Sequence, residues 1–254
     1  MAAEQWSLEE AEQRLPATRA WVQAVMQRLK PLIPNGSLDI LEIGAAQGRE
    51  LVALAELGHR VTGVEPWAPA LEVARQLLAK HGVEAPLHHA QGEQLPLADR
   101  QFDIVLAFSV LEHVDDLPQV LAEIQRVLKP GGVLWFNSAS AMSPLQEEIR
   151  YFPLFGWYPQ PVKHKVMTWC TAHWPAAVNH TSKPALWWWT HGRAQKWLRD
   201  AGFVEIHDRW QLRAGVPGGG AVHKAIQWVA DHPAAGRVVD VIVPGCSYCA
   251  RKGG

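Results

Sequence analysis

The sequence predicts an α/β protein built on one doubly wound, seven-stranded, mostly parallel sheet with helices on both faces. Three observations carry that expectation. Short apolar runs alternate with amphipathic stretches of roughly ten to fifteen residues, the rhythm of strand, crossover helix and parallel strand. A glycine-bearing turn, Gly44 to Gly48, joins the first of these runs to the stretch that follows it. A chain of 254 residues that is 48% hydrophobic can also bury a sizeable core, enough for one α/β domain with an insertion.

The elements follow in order. Ser7 with Glu10 three residues on reads as a capping box, and Trp21, Val22, Val25, Met26 and Leu29 recur at helical spacing up to the breaker Pro31. Residues 1–35 are therefore an N-terminal helical arm. Residues 36–140 form the cofactor-binding core. Its strands are expected at 38–43, 60–64, 87–90, 102–108 and 133–137, with helices at 48–57, 69–81 and 117–128. Residues 141–189, rich in proline and aromatics, break the rhythm as an insertion after the fifth strand. The core resumes in 190–254: Thr190 as N-cap, a helix over 193–201 stopped by Gly202, a strand over 203–209, a glycine-rich loop at 217–220, a helix near 222–230 and a last strand near 247–251.

Composition excludes several function classes. The net charge of −1 and the 19% charged content argue against disorder and against a broad nucleic-acid surface. The N-terminal stretch lacks the basic start and apolar run of a signal peptide, and the apolar runs are too short to span a bilayer, so a cytoplasmic protein is expected. Three cysteines, Cys170, Cys246 and Cys249, are an odd set that does not form a disulfide framework. The Cys246–Cys249 spacing lacks a second pair for zinc, and in a strand the two side chains face opposite ways.

In an open α/β sheet the ligand binds beyond the carboxyl ends of the strands. Glu42 stands at the end of the first strand, and Gly44 and Gly48 bracket a turn that a ligand can approach closely. Glu65 closes the second strand about twenty residues on, where a carboxylate accepts bonds from both hydroxyls of a ribose. By itself this pattern equally suits a nicotinamide-dependent oxidoreductase, or a tight turn with no ligand.

Five stretches, LDILEIGAAQG, VTGVEP, QGEQLPLADRQFDIV, SVLEHVDD and LKPGGVLWF, run in order through residues 38–136, and LRDAGF follows at 198–203. With them the chain resembles class I S-adenosylmethionine-dependent methyltransferases, in the small-molecule branch related to the methyltransferases of ubiquinone and menaquinone biosynthesis. The resemblance implies a Rossmann-like fold with S-adenosyl-L-methionine as cofactor. It implies that Glu42, Gly44, Ala46 and Gly48 line the methionine and ribose portion, that Glu65 takes the ribose hydroxyls, and that Gln91 and Gly92 meet the adenine. Phe108, ending the fourth strand, would stand at the sulfonium end. Asp103 would fix the turn before that strand, a structural role. Two residues depart from the family pattern. Ala46 replaces a glycine, which a negative φ would accommodate; Gln91 replaces an aspartate yet keeps an acceptor oxygen.

Because a sulfonium already activates its methyl group, the protein has chiefly to hold a nucleophile in line and exclude water. Where the nucleophile must lose a proton, His113 in the LEHV turn is the candidate base. Packing or capping is its bland alternative, and His164, His173, His180 and His191 are rivals. Glu112 beside His113 lacks an evident third ligand, so no metal is expected.

Of 13 tryptophans, eight fall between Trp157 and Trp210. Tyr151, Phe155, Trp157, Tyr158 and Trp187 are read as acceptor-binding, which implies a small, largely apolar or aromatic acceptor. Lys163, Lys165, Lys183 and Arg193 offer charge to a carboxylate or phosphate on it. The insertion's own core, a contact between two copies of the chain, and a membrane interface reaching a lipid-linked acceptor are the alternatives. A catalytically silent cofactor-binding module also stays open. Oxygen is the favoured target atom, and no nucleic-acid partner is expected.

Overall fold

The computed structural model describes residues 6–254 except 145, 147, 179–182 and 244. His180, one of the rival bases, lies outside the described residues. Seven strands form one sheet: β1 (Asp39–Ile43), β2 (Arg60–Val64), β3 (Leu87–His88), β4 (Phe102–Phe108), β5 (Leu128–Ser138), β6 (Phe203–Asp208) and β7 (Cys246–Lys252). They lie in the order β3-β2-β1-β4-β5-β7-β6, with β1 parallel to both β2 and β4 and β2 parallel to β3. The chain moves outward from β1 through β2 to β3, then returns to lay β4 on the other side of β1. Such a reversal of strand order marks the place, at the carboxyl ends of the strands, where open α/β sheets bind ligands.

The described residues fall into two compact units. The first takes in residues up to 107, 119–135 and 251–254. Its first helix, α1 (Leu8–Leu29), starts at Ser7, whose hydroxyl accepts the Glu10 N–H at 3.1 Å. It buries Leu15, Val22, Val25 and Leu29 and gives way to a 3₁₀ turn at Lys30–Leu32, where Pro31 falls as expected. Helices α2 (Arg49–Glu56) and α3 (Ala68–Lys80) follow β1 and β2, and α4 (Leu117–Val127) follows β4.

Asp103 is structural, tying the entrances of two strands together. Its Oδ2 accepts the Asp39 N–H at 2.8 Å and the Lys129 ammonium at 2.9 Å. Asp39 in turn accepts from Arg60 and Lys129, which hold its carboxyl down at about 2. This contribution to stability is complete above the ordinary value of 3.8 and is lost as pH falls toward 2.

The second unit comprises residues 108–118 and 136–250. It contains α5 (Gln160–His173), α6 (His191–Asp200), α7 (Arg209–Ala214), α8 (Ala221–Asp231) and α9 (Pro233–Ile242). Thr190 caps α6 by accepting the Arg193 N–H, and Asp208 caps α7 in a full capping box with Gln211. A core of Ile149, Phe155, Met167, Cys170 and Trp188 underlies the aromatic-rich insertion. All three cysteines are free and buried.

Three differences from the sequence expectation have local causes. β5 begins at Leu128, not Val133, because the LKPGG segment already belongs to the strand, with Gly131 at φ +75°; glycine and proline there read as a turn. The six-residue α7 is too short to show periodicity. Helix α9 starts with Pro-Ala-Ala-Gly, a turn-like string in which Pro233 occupies the position where a missing N–H costs nothing.

Gly63, inside β2, is held to glycine by space rather than by its backbone. An added Cβ would lie 2.7 Å from Leu51 Cδ1 and 2.8 Å from Leu87 Cδ2. Gly63→Ala is expected to destabilise the protein by about 1–3 kcal/mol, through overpacking between the sheet and α2. Urea unfolding with an unchanged m-value checks this.

Candidate active site

The turn after β1 is shaped by backbone bonds to the end of β2. Val64 C=O accepts the N–H groups of Gly44 at 2.8 Å and Ala45 at 3.0 Å, and Ala45 C=O accepts that of Gly48 at 2.7 Å. Gly44 (φ +75°) and Gly48 (φ +73°) occupy the left-handed region, as a close turn requires. Gly48 also has Ala74 against it, 3.1 Å from where a Cβ would stand.

Ala46 corrects the sequence expectation. It was expected to tolerate the turn with a negative φ, but its φ is +47°. A Cβ is unfavourable there, so the turn carries strain at this residue. The Glu65 carboxylate holds it in place, Oε2 accepting the Ala46 N–H and Oε1 the Trp67 N–H, each at 2.9 Å. Burial raises the Glu65 carboxyl, and these two bonds oppose that rise.

Glu42 is almost fully buried, and its Oε2 has no hydrogen-bond partner among the described residues. Burial, with Glu50 and Glu65 adding negative charge, lifts its carboxyl well above the usual range. Arg49 Nε, at the start of α2, is likewise buried without a partner. An acceptor and a donor are thus both left open around one turn. Gly92 lies close by, its Cβ position 3.4 Å from Ile43 and Val120 methyls, while Gln91 is exposed.

In the second unit, Glu112 and His113 are joined by Glu148. Ligand atoms of the three lie within 4.8 Å of one another. Ser138 donates to Glu112 Oε2 at 2.6 Å, and burial pushes the Glu112 carboxyl up to about 8. Burial drives His113 down to about 4, against a smaller opposing effect of the Pro184 and Lys183 carbonyls. Its Nε2 lies 3.7 Å from Glu148 Oε2, and its Nδ1 is buried without a partner. Glu148 supplies the third group that sequence reasoning missed. Nothing in its spacing from Glu112 signals it, because only the path of the insertion brings it back. Phe108 ends β4, half-buried.

The aromatic residues read as acceptor-binding divide. Phe155 is completely buried in the insertion's own core, so that expectation is corrected: its ring packs against Trp188 and Tyr158. Tyr158 is half-buried against the same core. Trp187 donates to Val114 C=O at 2.9 Å and meets Trp197 edge-on. Tyr151, stacked on Trp174, and Trp157, donating to Met142 C=O, are largely exposed. Trp188 and Trp189 are fully buried, as the need for some of the three adjacent tryptophans to do structural work implies. No described helix is long and apolar enough to cross a membrane.

The sheet order and the glycine turn define a Rossmann-like methyltransferase fold. Residues 41–136 match the Methyltransferase domain family. A ubiquinone biosynthesis O-methyltransferase of Dinoroseobacter shibae is 39% identical over 106 residues, 42% of this chain and 43% of that protein. A malonyl-[acyl-carrier protein] O-methyltransferase of Serratia marcescens is 39% identical over 43% of this chain and 41% of its own. The chain thus spans about half the length, or less, of these curated relatives. Among solved structures, the YcgJ protein of Bacillus subtilis matches 91% of this chain and 99% of its own at a TM-score of 0.57 and 18% identity. The [4+2]-cyclase SpnF matches 91% and 81% at 0.56, also with 18% identity. At that identity these two speak for the fold alone. Residues 41–136 are thus similar to the methyltransferase domain of the O-methyltransferases of ubiquinone biosynthesis, a domain whose cofactor is S-adenosyl-L-methionine.

The open groups suit that cofactor. The unpartnered Glu42 oxygen, with Glu50 and Glu65 as further acids nearby, fits an ammonium, and the unpartnered Arg49 Nε fits a carboxylate. An amino-acid end carries both.

Because Ala46 pays for a Cβ in the left-handed region, Ala46→Gly is expected to cost nothing and to stabilise the turn by up to about 1 kcal/mol. Chemical unfolding of the two proteins side by side measures the difference.

Proposed function

We propose that the chain transfers the methyl group of S-adenosyl-L-methionine to a small, largely apolar or aromatic acceptor, with oxygen as the favoured target. The observation that carries this reading is the pair of open buried groups, Glu42 Oε2 and Arg49 Nε, set around a turn that Glu65 holds rigid. Glu42 would hold the cofactor's ammonium, and Glu65, beyond its two backbone bonds, would accept from the ribose. Gly44, Ala46, Gly48, Gln91 and Gly92 would complete the cofactor's contacts, with Phe108 at its reactive end. When bound, the cofactor supplies an electrophilic methyl group that needs no further activation.

His113 would take the proton of the acceptor hydroxyl as the new bond forms. Its low proton affinity supports the role in one respect: the imidazole is neutral across the physiological range and free to accept. Glu148, 3.7 Å away, would stabilise the imidazolium that results. The aromatic relatives of this surface, Tyr151, Trp157, Tyr158 and Trp187, would bound the acceptor and exclude water. A lipid-linked acceptor is accommodated by the same aromatics, since Tyr151, Trp157, Trp169 and Trp174 are exposed.

A second reading rests on the close approach of Glu112, His113 and Glu148: the three would hold a divalent cation that binds the acceptor's oxygens. Manganese added to chelator-treated protein separates the two. A rise in melting temperature that Glu148→Gln abolishes favours the cation; no rise favours the imidazole base.

Two outcomes test the main reading. Glu65→Ala is expected to weaken S-adenosylhomocysteine binding by roughly tenfold or more in calorimetry, and also to lower stability, since it frees the Ala46 and Trp67 N–H groups. Unchanged affinity would remove Glu65 from the cofactor site. For His113→Ala, turnover is expected to fall by about 10² or more while cofactor affinity holds. In the unsubstituted enzyme kcat/KM should fall as pH drops through about 4, not near 6.5.

A further inference from the structure

Gln47 stands in the glycine turn, between Ala46 and Gly48, and is 3% exposed. Its Nε2 donates to two residues at the start of the N-terminal arm, Glu10 Oε2 at 2.6 Å and Ser7 C=O at 3.3 Å. Just ahead of them Trp6 meets Trp67 edge-on, with ring centroids 4.8 Å apart. Trp67 is also the residue whose N–H Glu65 accepts. The start of the arm therefore touches both strand-to-helix connections that Glu65 ties together, the turn after β1 through Gln47 and the entrance to α3 through Trp67.

Anchoring α1 does not require these contacts. The helix buries Ala11, Leu15, Val22, Val25 and Leu29, and Arg19 pairs with Glu56 of α2 at 2.6 Å. What Trp6, Ser7 and Glu10 add falls on the turn. That turn holds Ala46 at φ +47°, a strained conformation that persists only where its surroundings over-determine it. Glu65 fixes Ala46 by its N–H, and the bond to Glu10 fixes the next residue; a bond to a carboxylate is among the stronger kinds. We propose that Gln47 is a positioning residue for the cofactor site, and that Trp6 to Glu10 form a latch whose closure and cofactor binding support each other. The coupling is reciprocal: a released arm loosens the turn, and a cofactor that holds the turn holds the arm. The proposal rests on the reading of this turn as the cofactor's.

The test uses the full chain, titrated with S-adenosylhomocysteine by calorimetry, with the dissociation rate read by stopped-flow displacement. Gln47→Leu and Glu10→Ala are each expected to weaken binding by about tenfold, mainly through faster dissociation. The double variant should bind no worse than either single one, because both remove the same bond. Glu10→Gln, which keeps an acceptor oxygen, should bind within about threefold of the unsubstituted protein. Trp6→Ala should also weaken binding, and Trp6→Phe, which keeps an edge-on ring, should restore it. Arg19→Ala loosens α1 from α2 without touching the turn, and should leave the affinity unchanged. In hydrogen exchange the ligand should slow the Glu10 and Ala11 N–H groups, which Ser7 caps, in the unsubstituted protein but not in Gln47→Leu. Glu10 is only partly buried, so Glu10→Ala decides the matter even where Gln47→Leu does not fold. Normal binding by any of Gln47→Leu, Glu10→Ala and Trp6→Ala, an equal loss in Arg19→Ala, or exchange at Glu10 and Ala11 that the ligand does not alter would each overturn the proposal, the second by making the effect a general loosening of α1. An unsubstituted protein that does not bind the ligand at all would instead take down the cofactor reading itself, and the latch with it.

Discussion

The two hydrogen bonds that Glu65 accepts are the constraint on which the cofactor end of the first unit depends. One carboxylate, at the end of β2, grips the N–H of Ala46 in the turn after β1 and the N–H of Trp67 ahead of α3. It thereby sets two strand-to-helix connections relative to each other. The strained φ of Ala46 persists because this bond and the backbone bonds to Val64 leave the turn no other path. Beside this turn Glu42 is buried, and its second oxygen meets no donor among the described residues. Burial first, then Glu50 and Glu65, raise that carboxyl against the opposing charge of Arg49.

The second unit shows the same economy of compensation with different signs. Glu112 carries a carboxyl raised to about 8, His113 an imidazole lowered to about 4, and Lys163 an amine lowered to about 8, all chiefly by burial. A chain selected for stability alone would have placed apolar side chains at these points. Ionisable groups stand there instead, the kind of placement that functional sites share.

The fold does not decide which chemistry. A [4+2]-cyclase shares this architecture with methyltransferases, so the sheet supplies only the crevice. The family match lies in residues 41–136. Outside that stretch, the account of this chain rests on the charges and rings found there.

By itself the sequence determined the alternation of strands and helices, the glycine turn, the acid at the end of each of the first two strands, and the caps at Ser7 and Thr190. Those features are written in short-range periodicity and in residue types with strict backbone roles, so they survive without knowledge of the third dimension. Tertiary structure decided the rest. The positive φ of Ala46 follows from bonds to a different strand, and Glu148 reaches His113 only through the path of the insertion. Phe155 and Trp157, two residues apart and alike in sequence, part company as core and surface. Lys163, one of several lysines in a basic stretch, is buried because α5 turns it onto Trp188. Burial and long-range proximity are sums over the whole chain, and no local window contains them.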